Sequence, residues 1–273
     1  MQSLISNNLK DALKVRPNTG LPQSFLQENM IICTGEDPTE LIDAMRTMLP
    51  GRRPRVHQYR CYRAWKYQDF TVVLSGIGTG CLEPLMFEML DYKNLGNKVP
   101  KRLIMIGSAG YLSDTGFGQV YLVEGAYPVG CGVRLNKKNL PVRPKFEGLD
   151  QVKLPRAEEI SSDYYYACTP DSNDERKVRA NALDPGLRIG LARYWKPGRL
   201  ISMEAAQFYH YAAIYGRPDT QYVAFRGVAN LVQQFETQGD YSLQVLTEAF
   251  RQAVRLLAAN LTIANIERSV NRG

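Results

Sequence analysis

The sequence predicts an α/β protein, with helices packed on both sides of a sheet. Three observations carry this expectation. Short apolar runs such as Met30–Cys33, Phe70–Leu74 and Leu103–Ile106 have the length of buried strands. Longer amphipathic runs separate them, and their apolar faces need a sheet to cover. Three of the strands also end in glycine-bearing turns, the kind of strand end where open α/β sheets place ligands.

The composition fits that class. Of 273 residues, 44% are hydrophobic and 22% charged, as in an ordinary globular chain, which excludes disordered, collagen-like and coiled-coil proteins. The length suits one large domain or two small ones. No apolar run reaches the roughly 18 residues of a membrane span, and Met1–Lys14 lacks a signal-peptide hydrophobic block. The five cysteines, Cys33, Cys61, Cys81, Cys131 and Cys168, are scattered and odd in number. They read as reduced thiols, which places the protein in a cytoplasm. His57 and His210 have no metal-ligand spacing around them, so no metal site is expected. The net charge of +7 admits nucleic acid, an anionic small substrate, or no partner at all. No nucleic-acid reader motif is present, and no nucleic-acid or membrane partner is expected. The densest basic cluster is Arg52, Arg53, Arg55, Arg60 and Arg63.

Along the chain, residues 1–28 are polar and read as an N-terminal extension, with the domain over 29–273. Met30–Cys33 is a strand and Thr34–Pro38 a turn. Thr39–Met48 is a helix with Leu41, Ile42, Met45 and Met48 on one face. Arg55–Tyr67 is a polar hairpin. Phe70–Leu74 is a buried strand closed by Ser75-Gly-Ile-Gly-Thr-Gly80, and Cys81–Leu90 a helix. Leu103–Ile106 is a strand ending at Gly107-Ser-Ala-Gly110, and Gln119–Glu124 another. Gly132–Ala157 is a long loop, and Ile160–Tyr166 has strand character. Asp171–Pro197 has no clear organisation. Ser202–Tyr215 is a helix, Tyr222–Val228 a strand and Tyr241–Ile266 a long helix.

Three segments can carry chemistry. Ser75–Gly80 lies between a strand and a helix, as a phosphate-cradling loop would, yet it is neither a Walker A nor a GxGxxG sequence. Tight packing of the turn explains its glycines as well. Gly107–Gly110 offers backbone N–H groups and the Ser108 hydroxyl. In Ser202-Met-Glu-Ala-Ala206, Glu204 is either an acid favoured by a helix N-terminus or a carboxylate for a sugar diol.

In order, Gly-Ile-Gly, Gly-Ser-Ala-Gly, Ser-Ser-Asp-Tyr-Tyr-Tyr and Met-Glu-Ala-Ala make the chain resemble the nucleoside phosphorylase and nucleosidase superfamily. This family includes purine nucleoside phosphorylase, uridine phosphorylase, methylthioadenosine nucleosidase and AMP nucleosidase. The resemblance runs from about Met30 to Leu261. It implies a single three-layer α/β domain whose twisted mixed sheet closes into a distorted barrel flanked by helices. It also implies an enzyme that breaks the N-glycosidic bond of a purine nucleoside or nucleotide, with no cofactor, assembled as a dimer, trimer or hexamer. Trp65, Tyr92 and Tyr111 are candidates for such an interface.

The resemblance assigns roles residue by residue. Met203 and Glu204 would hold the ribose, the carboxylate gripping its diol and favouring the positive charge that develops as the base leaves. Tyr165 would stack on the base, with Tyr164 and Tyr166 as substitutes, since side chains of a strand alternate. Ser108 and Gly110 would lie near nucleophile and base. Where many members carry Asp in Arg-x-x-Ser-Asp, this chain reads Arg226-Gly-Val-Ala-Asn230. Asn230 can hydrogen-bond a base but cannot act as a general acid. One branch of the phosphorylases that the chain resembles uses Asn for 6-oxopurines, so Asn230 fits a hypoxanthine- or guanine-type base, or else a weakened or lost activity.

The loop after the first strand decides the nucleophile. Phosphorylases read Gly-Asp-Pro-x-Arg there, and this chain reads Gly35-Glu-Asp-Pro-Thr-Glu40. The position of a second phosphate arginine is taken by Met105 or Ile106. A carboxylate repels phosphate, whereas nucleosidases use a Glu in this loop to take a proton from water. Glu40 is thus the first candidate general base and Glu36 the second; Glu40 also reads as a plain first-turn acid. Gly35, Gly78, Ser108 and Arg60 would surround the nucleophile or a phosphate, Arg60 or Arg63 reaching across a subunit interface or to a nucleotide phosphate. Hydrolysis is the leading expectation. A phosphorylase with an altered phosphate site and a non-catalytic nucleoside binder are the alternatives.

Overall fold

The structure is a computed structural model that describes residues 18–90, 99–113, 116–132, 135–163, 185–231 and 241–270, without the side chains of 137, 185–188, 230, 231, 241 and 261–270. In chain order the elements are β1 (Asn29–Thr34), α1 (Pro38–Met48), β2 (Arg55–Tyr59), β3 (Tyr62–Lys66), β4 (Thr71–Ser75), α2 (Thr79–Leu90) and β5 (Arg102–Tyr111). They continue with β6 (Val120–Pro128), β7 (Arg156–Ser161), α3 (Pro185–Tyr194), β8 (Leu200–Ser202), α4 (Ala205–Tyr215), β9 (Gln221–Leu231) and α5 (Tyr241–Val270).

The strands form one sheet in the order β2-β3-β4-β1-β5-β8-β7-β6-β9, and β5 also pairs with β9. That second pairing closes β5-β8-β7-β6-β9 into a five-stranded mixed barrel with the other four strands as a wing. The α/β expectation and the distorted barrel implied by the resemblance are both realised. Closure hides the edges of the barrel strands, which an open sheet would leave unpaired.

Each face of the sheet buries its own helices. Leu82, Leu85 and Met86 of α2 pack with Ala206 and Phe208 of α4 on one side. Leu41 and Met45 of α1 pack with Val245, Phe250 and Leu257 of α5 on the other. α1 begins where the sequence suggested: the Asp37 carboxylate caps it by accepting from the Thr39 N–H at 2.6 Å, and Pro38 occupies its first turn. The chain ahead of β1 belongs to the same body from Asn18 onward. Leu21 and Phe25 are in the core, and the Glu88 carboxylate of α2 accepts from the Asn18 and Thr19 N–H groups at 2.8 and 2.9 Å.

Several elements differ from the sequence expectation. Gly107–Gly110 is not a turn but part of β5, hydrogen-bonded along its length to β9. Strand character expected over Ile160–Tyr166 falls at Arg156–Ser161, so the long loop ends earlier; residues 164–166 lie outside the described part. The helix expected from Ser202 splits: Ser202 ends the short strand β8, and helix starts at Ala205 with Glu204 as its N-cap. The unclear stretch contains α3. Trp65 is a core residue, only 3% exposed, in the cluster that also holds Met45 of α1 and Phe250 of α5. Tyr111 packs on Tyr121 at 5.1 Å between ring centroids, and Tyr92 lies outside the described residues.

Candidate active site at the seam between wing and barrel

The strand register sets the location. β1 and β4 end side by side at Thr34 and Ser75. Beside them β5 and β9 run on into the barrel, and Gly107 pairs with Arg226 just past the point where Cys33 of β1 pairs with Ile106. At this level the sheet opens, and side chains of several elements meet.

Arg226 is the centre of the cluster and is fully buried. Its Nε donates to Glu159 Oε2 at 3.0 Å, its Nη2 to Glu204 Oε2 at 2.8 Å and its Nη1 to Thr34 Oγ1 at 3.1 Å. Burial opposes its charge, but Glu159 and then Glu204 outweigh this and hold the guanidinium more firmly protonated than usual. A glycine makes the arrangement possible. A Cβ at Gly107 would lie 2.5 Å from Arg226 Nη1 and 3.1 Å from Thr34 Oγ1.

The two carboxylates are held from behind. Glu159, also fully buried, accepts at Oε1 from Ser161 Oγ at 2.5 Å and from the Ala205 N–H at 3.0 Å. Ser161 Oγ accepts from the Ala206 N–H at 2.9 Å. Two side chains of β7 thus satisfy N–H groups that the first turn of α4 leaves free. Glu204, at the cap of that helix, accepts at Oε1 from the Gly78 N–H at 3.0 Å. Its Oε2 takes the Arg226 bond and a longer one from Thr34 Oγ1 at 3.4 Å.

Gly78 has φ 78°, a left-handed conformation natural to glycine. The space its side chain would fill is bounded by Asp163 Oδ1 at 3.1 Å and Met203 Cε at 3.5 Å. Asp163 accepts from Thr79 N and Oγ1, fastening the start of α2. The Ser-Ser-Asp segment, Gly78, Met203 and Glu204 are therefore neighbours.

On the other side stands the loop after β1. The Glu36 carboxylate accepts from the Ser108 N–H in a short hydrogen bond. Burial pushes the Glu36 carboxyl above its ordinary range; the Ser108 hydrogen bonds and Arg226 oppose this, and Glu204 adds to it. Burial likewise pushes up the Cys33 thiol below it, with Glu36 and Glu204 contributing. Gly35, at φ 72°, packs against the Gly76–Gly78 loop, leaving only 2.9 Å between a Cβ and Ile77 Cγ1.

The structure thus brings together Gly35, Glu36, Gly78, Ser108, Met203 and Glu204. It does not bring Glu40 to them. Glu40 faces α5, where its Oε1 accepts from Ser242 Oγ at 2.6 Å. Arg60 sits at the tip of the β2–β3 hairpin, exposed, with φ 51° and its guanidinium 5.3 Å over the Tyr59 ring. Gly110 pairs with Ile201 and with the backbone of Asn230 next to a bulge in β9. The Asn230 side chain and Tyr165 lie outside the described part. Sequence reasoning missed Thr34, Glu159 and Ser161, and gave Arg226 no role. Two adjacent acids, Glu158 and Glu159, on an apolar strand were the available signal, since a strand turns alternate residues inward.

The site belongs to an α/β protein whose wing sheet runs into a five-stranded barrel, with a charged cluster at the junction. Comparison with solved structures identifies this fold as that of the nucleoside phosphorylases and nucleosidases. The chain superposes on purine nucleoside phosphorylase from Toxoplasma gondii in complex with immucillin-H with a TM-score of 0.65, covering 91% of this chain and 96% of that one at 17% identity. With uridine phosphorylase from Vibrio fischeri ES114 the TM-score is 0.62, over 91% and 99% of the two chains at 16% identity. Futalosine hydrolase of Helicobacter pylori is similar at a TM-score of 0.53, over 84% and 98% at 14% identity. No family model matches the chain, and no curated protein matches it. The resemblance carried by the motifs therefore holds for the fold. Among the described residues no helix is long and apolar enough to cross a membrane.

Proposed function

We propose that the protein cleaves the N-glycosidic bond of a nucleoside or nucleotide by hydrolysis, with a purine as the leaving base. One observation carries the choice of water: the loop that would face the nucleophile presents the Glu36 carboxyl, while the buried cation of the site, Arg226, is already shared by two carboxylates. A phosphate dianion would meet net negative charge there. In this reading Glu36, not Glu40, takes the proton from water as its oxygen attacks C1′. Its raised proton affinity suits a general base. Glu204 uses the lone pairs left on its carboxylate to accept from the ribose hydroxyls, and its charge favours the oxocarbenium-like transition state. Met203 lines the sugar, Ser108 and Gly110 border the base, Tyr165 stacks on it and Asn230 hydrogen-bonds its edge. The C1′–N bond breaks, and the base leaves with a proton relayed from solvent.

Phosphorolysis is a second reading, favoured by Arg60 and Arg63 at the hairpin end nearest the site. A homo-oligomer in the cytoplasm, with a neighbour's hairpin approaching this cleft, belongs to both readings. The test is incubation with inosine, guanosine, adenosine and AMP, with and without inorganic phosphate. Free base released without phosphate supports hydrolysis. Strict phosphate dependence with ribose 1-phosphate as product overturns it. No turnover, with a nucleoside still raising the melting temperature, would make the protein a binder built on this fold.

A further inference from the structure

Two thiols meet beside the site without a role in the reading above. The hairpin tip carries Cys61, and the first turn of α2 carries Cys81. Their sulfurs are 3.9 Å apart, Cys61 donating to Cys81. The meeting point is built rather than incidental. β3 runs antiparallel to β4 with Arg63 opposite Leu74, which carries the tip of the hairpin over the end of β4. There the chain continues as Gly76, where a Cβ would lie 2.6 Å from Cys81 Sγ and 3.5 Å from Cys61 Cβ. The absent side chain is the space the two thiols occupy. Tyr62 Oη donates to the Cys81 carbonyl at 2.8 Å, pinning β3 to α2 next to the pair.

We propose that Cys61 and Cys81 form a reversible dithiol–disulfide site whose oxidant is a peroxide. Cys61 is exposed and Cys81 half-buried, so the peroxide reaches Cys61 first. The Cys61 sulfur attacks one peroxide oxygen, the O–O bond breaks, and Cys61 becomes a sulfenic acid while the other oxygen leaves as water or alcohol. The Cys81 sulfur then attacks the sulfenic sulfur, the S–O bond breaks, and the oxygen departs as water with the Cys81 proton. Two thiols lose two electrons in all, and the peroxide gains them. Burial and the neighbouring Cys61 push the Cys81 thiol up to about 11, so little of it is thiolate and it does not compete with Cys61 for the peroxide. The bond would clasp the hairpin tip, with Arg60, to the segment whose Gly78 N–H holds Glu204.

The test reads sulfur, not turnover, and so is independent of the proposed reaction. The full chain is treated with hydrogen peroxide, remaining thiols are alkylated, and the digest is mapped by mass spectrometry. A Cys61–Cys81 cross-linked peptide released by dithiothreitol, absent in Cys61→Ser, is the expected result. The oxidised wild type should also melt higher than the reduced form, with no such shift in Cys61→Ser. Cross-links from either thiol to Cys131 or Cys168, Cys61 ending as sulfinic acid, or both thiols staying alkylatable would each overturn the proposal.

Discussion

The two sides of the charged cluster hold their carboxylates in opposite ways. On the barrel wall Glu204 is fixed by a guanidinium, a hydroxyl and a backbone N–H. On the wing wall Glu36 has the Ser108 hydrogen bonds and the field of Arg226, outweighed by burial that disfavours its charge. The first is braced by counter-charge; the second is a carboxyl that its burial makes easier to protonate. In the proposed reaction these different surroundings separate the two acids, Glu204 to grip the sugar and Glu36 to transfer the proton.

Removing Arg226 should erase the contrast most completely. Arg226→Leu leaves Glu159 and Glu204 buried with no cation, which costs about 3–5 kcal/mol. Thermal unfolding should drop on the order of ten degrees, and a melting curve like wild type would show the barrel wall to be less dependent on charge than its bonding implies. Glu36→Gln attacks the other wall. Turnover should fall by about 10²–10⁴-fold with a melting temperature equal to or above wild type, because a buried charge is gone. Loss of turnover accompanied by unfolding would instead make Glu36 structural.

The pH dependence sharpens the same contrast. A base must be ionised to work, so kcat/KM should rise with pH on a limb above the ordinary glutamate value of about 4.3, and this limb should vanish in Glu36→Gln. The raised proton affinity also has a stability sign: the native state favours protonated Glu36. That contribution is fully present below the ordinary carboxylate range and is lost as pH rises through the elevated folded value. A pH-rate profile and melts across the same range read both. The smallest effect belongs to Glu40→Gln, which removes a charge and leaves an oxygen that can still accept from Ser242. Stability should change by about 1 kcal/mol or less and turnover hardly at all; a collapse of turnover would return the role of base to Glu40.

Much of this architecture was legible in the sequence, for physical reasons that also explain the gaps. Strands β1 and β4 were readable because they are buried on both faces and so apolar over Met30–Cys33 and Val72–Leu74. Glu204 and Gly78 were readable because their motifs are local. Gly107 was misread as a turn, since a glycine that makes room for a distant arginine looks in sequence like one that bends the chain. Glu40 and Glu36 were indistinguishable by spacing. Only the register of β1 and β5, which brings the first loop to Ser108, and the packing of α1 on α5 separate them. Glu159 was hidden because its partner Arg226 is 67 residues away.

The last point has a kinetic consequence. Arg226 and Thr34, bonded in the cleft, are 192 residues apart in the chain, and Glu204 reaches Gly78 across 126. Contacts of such separation are slow to form, because loop-closure entropy is lost before they can compensate. During synthesis from the N-terminus, the wing and its acidic loop emerge long before the arginine that balances the cleft. Glu159 and Glu204 therefore leave the ribosome without their counter-charge, and the cluster closes only when β9 delivers Arg226 and seals the barrel.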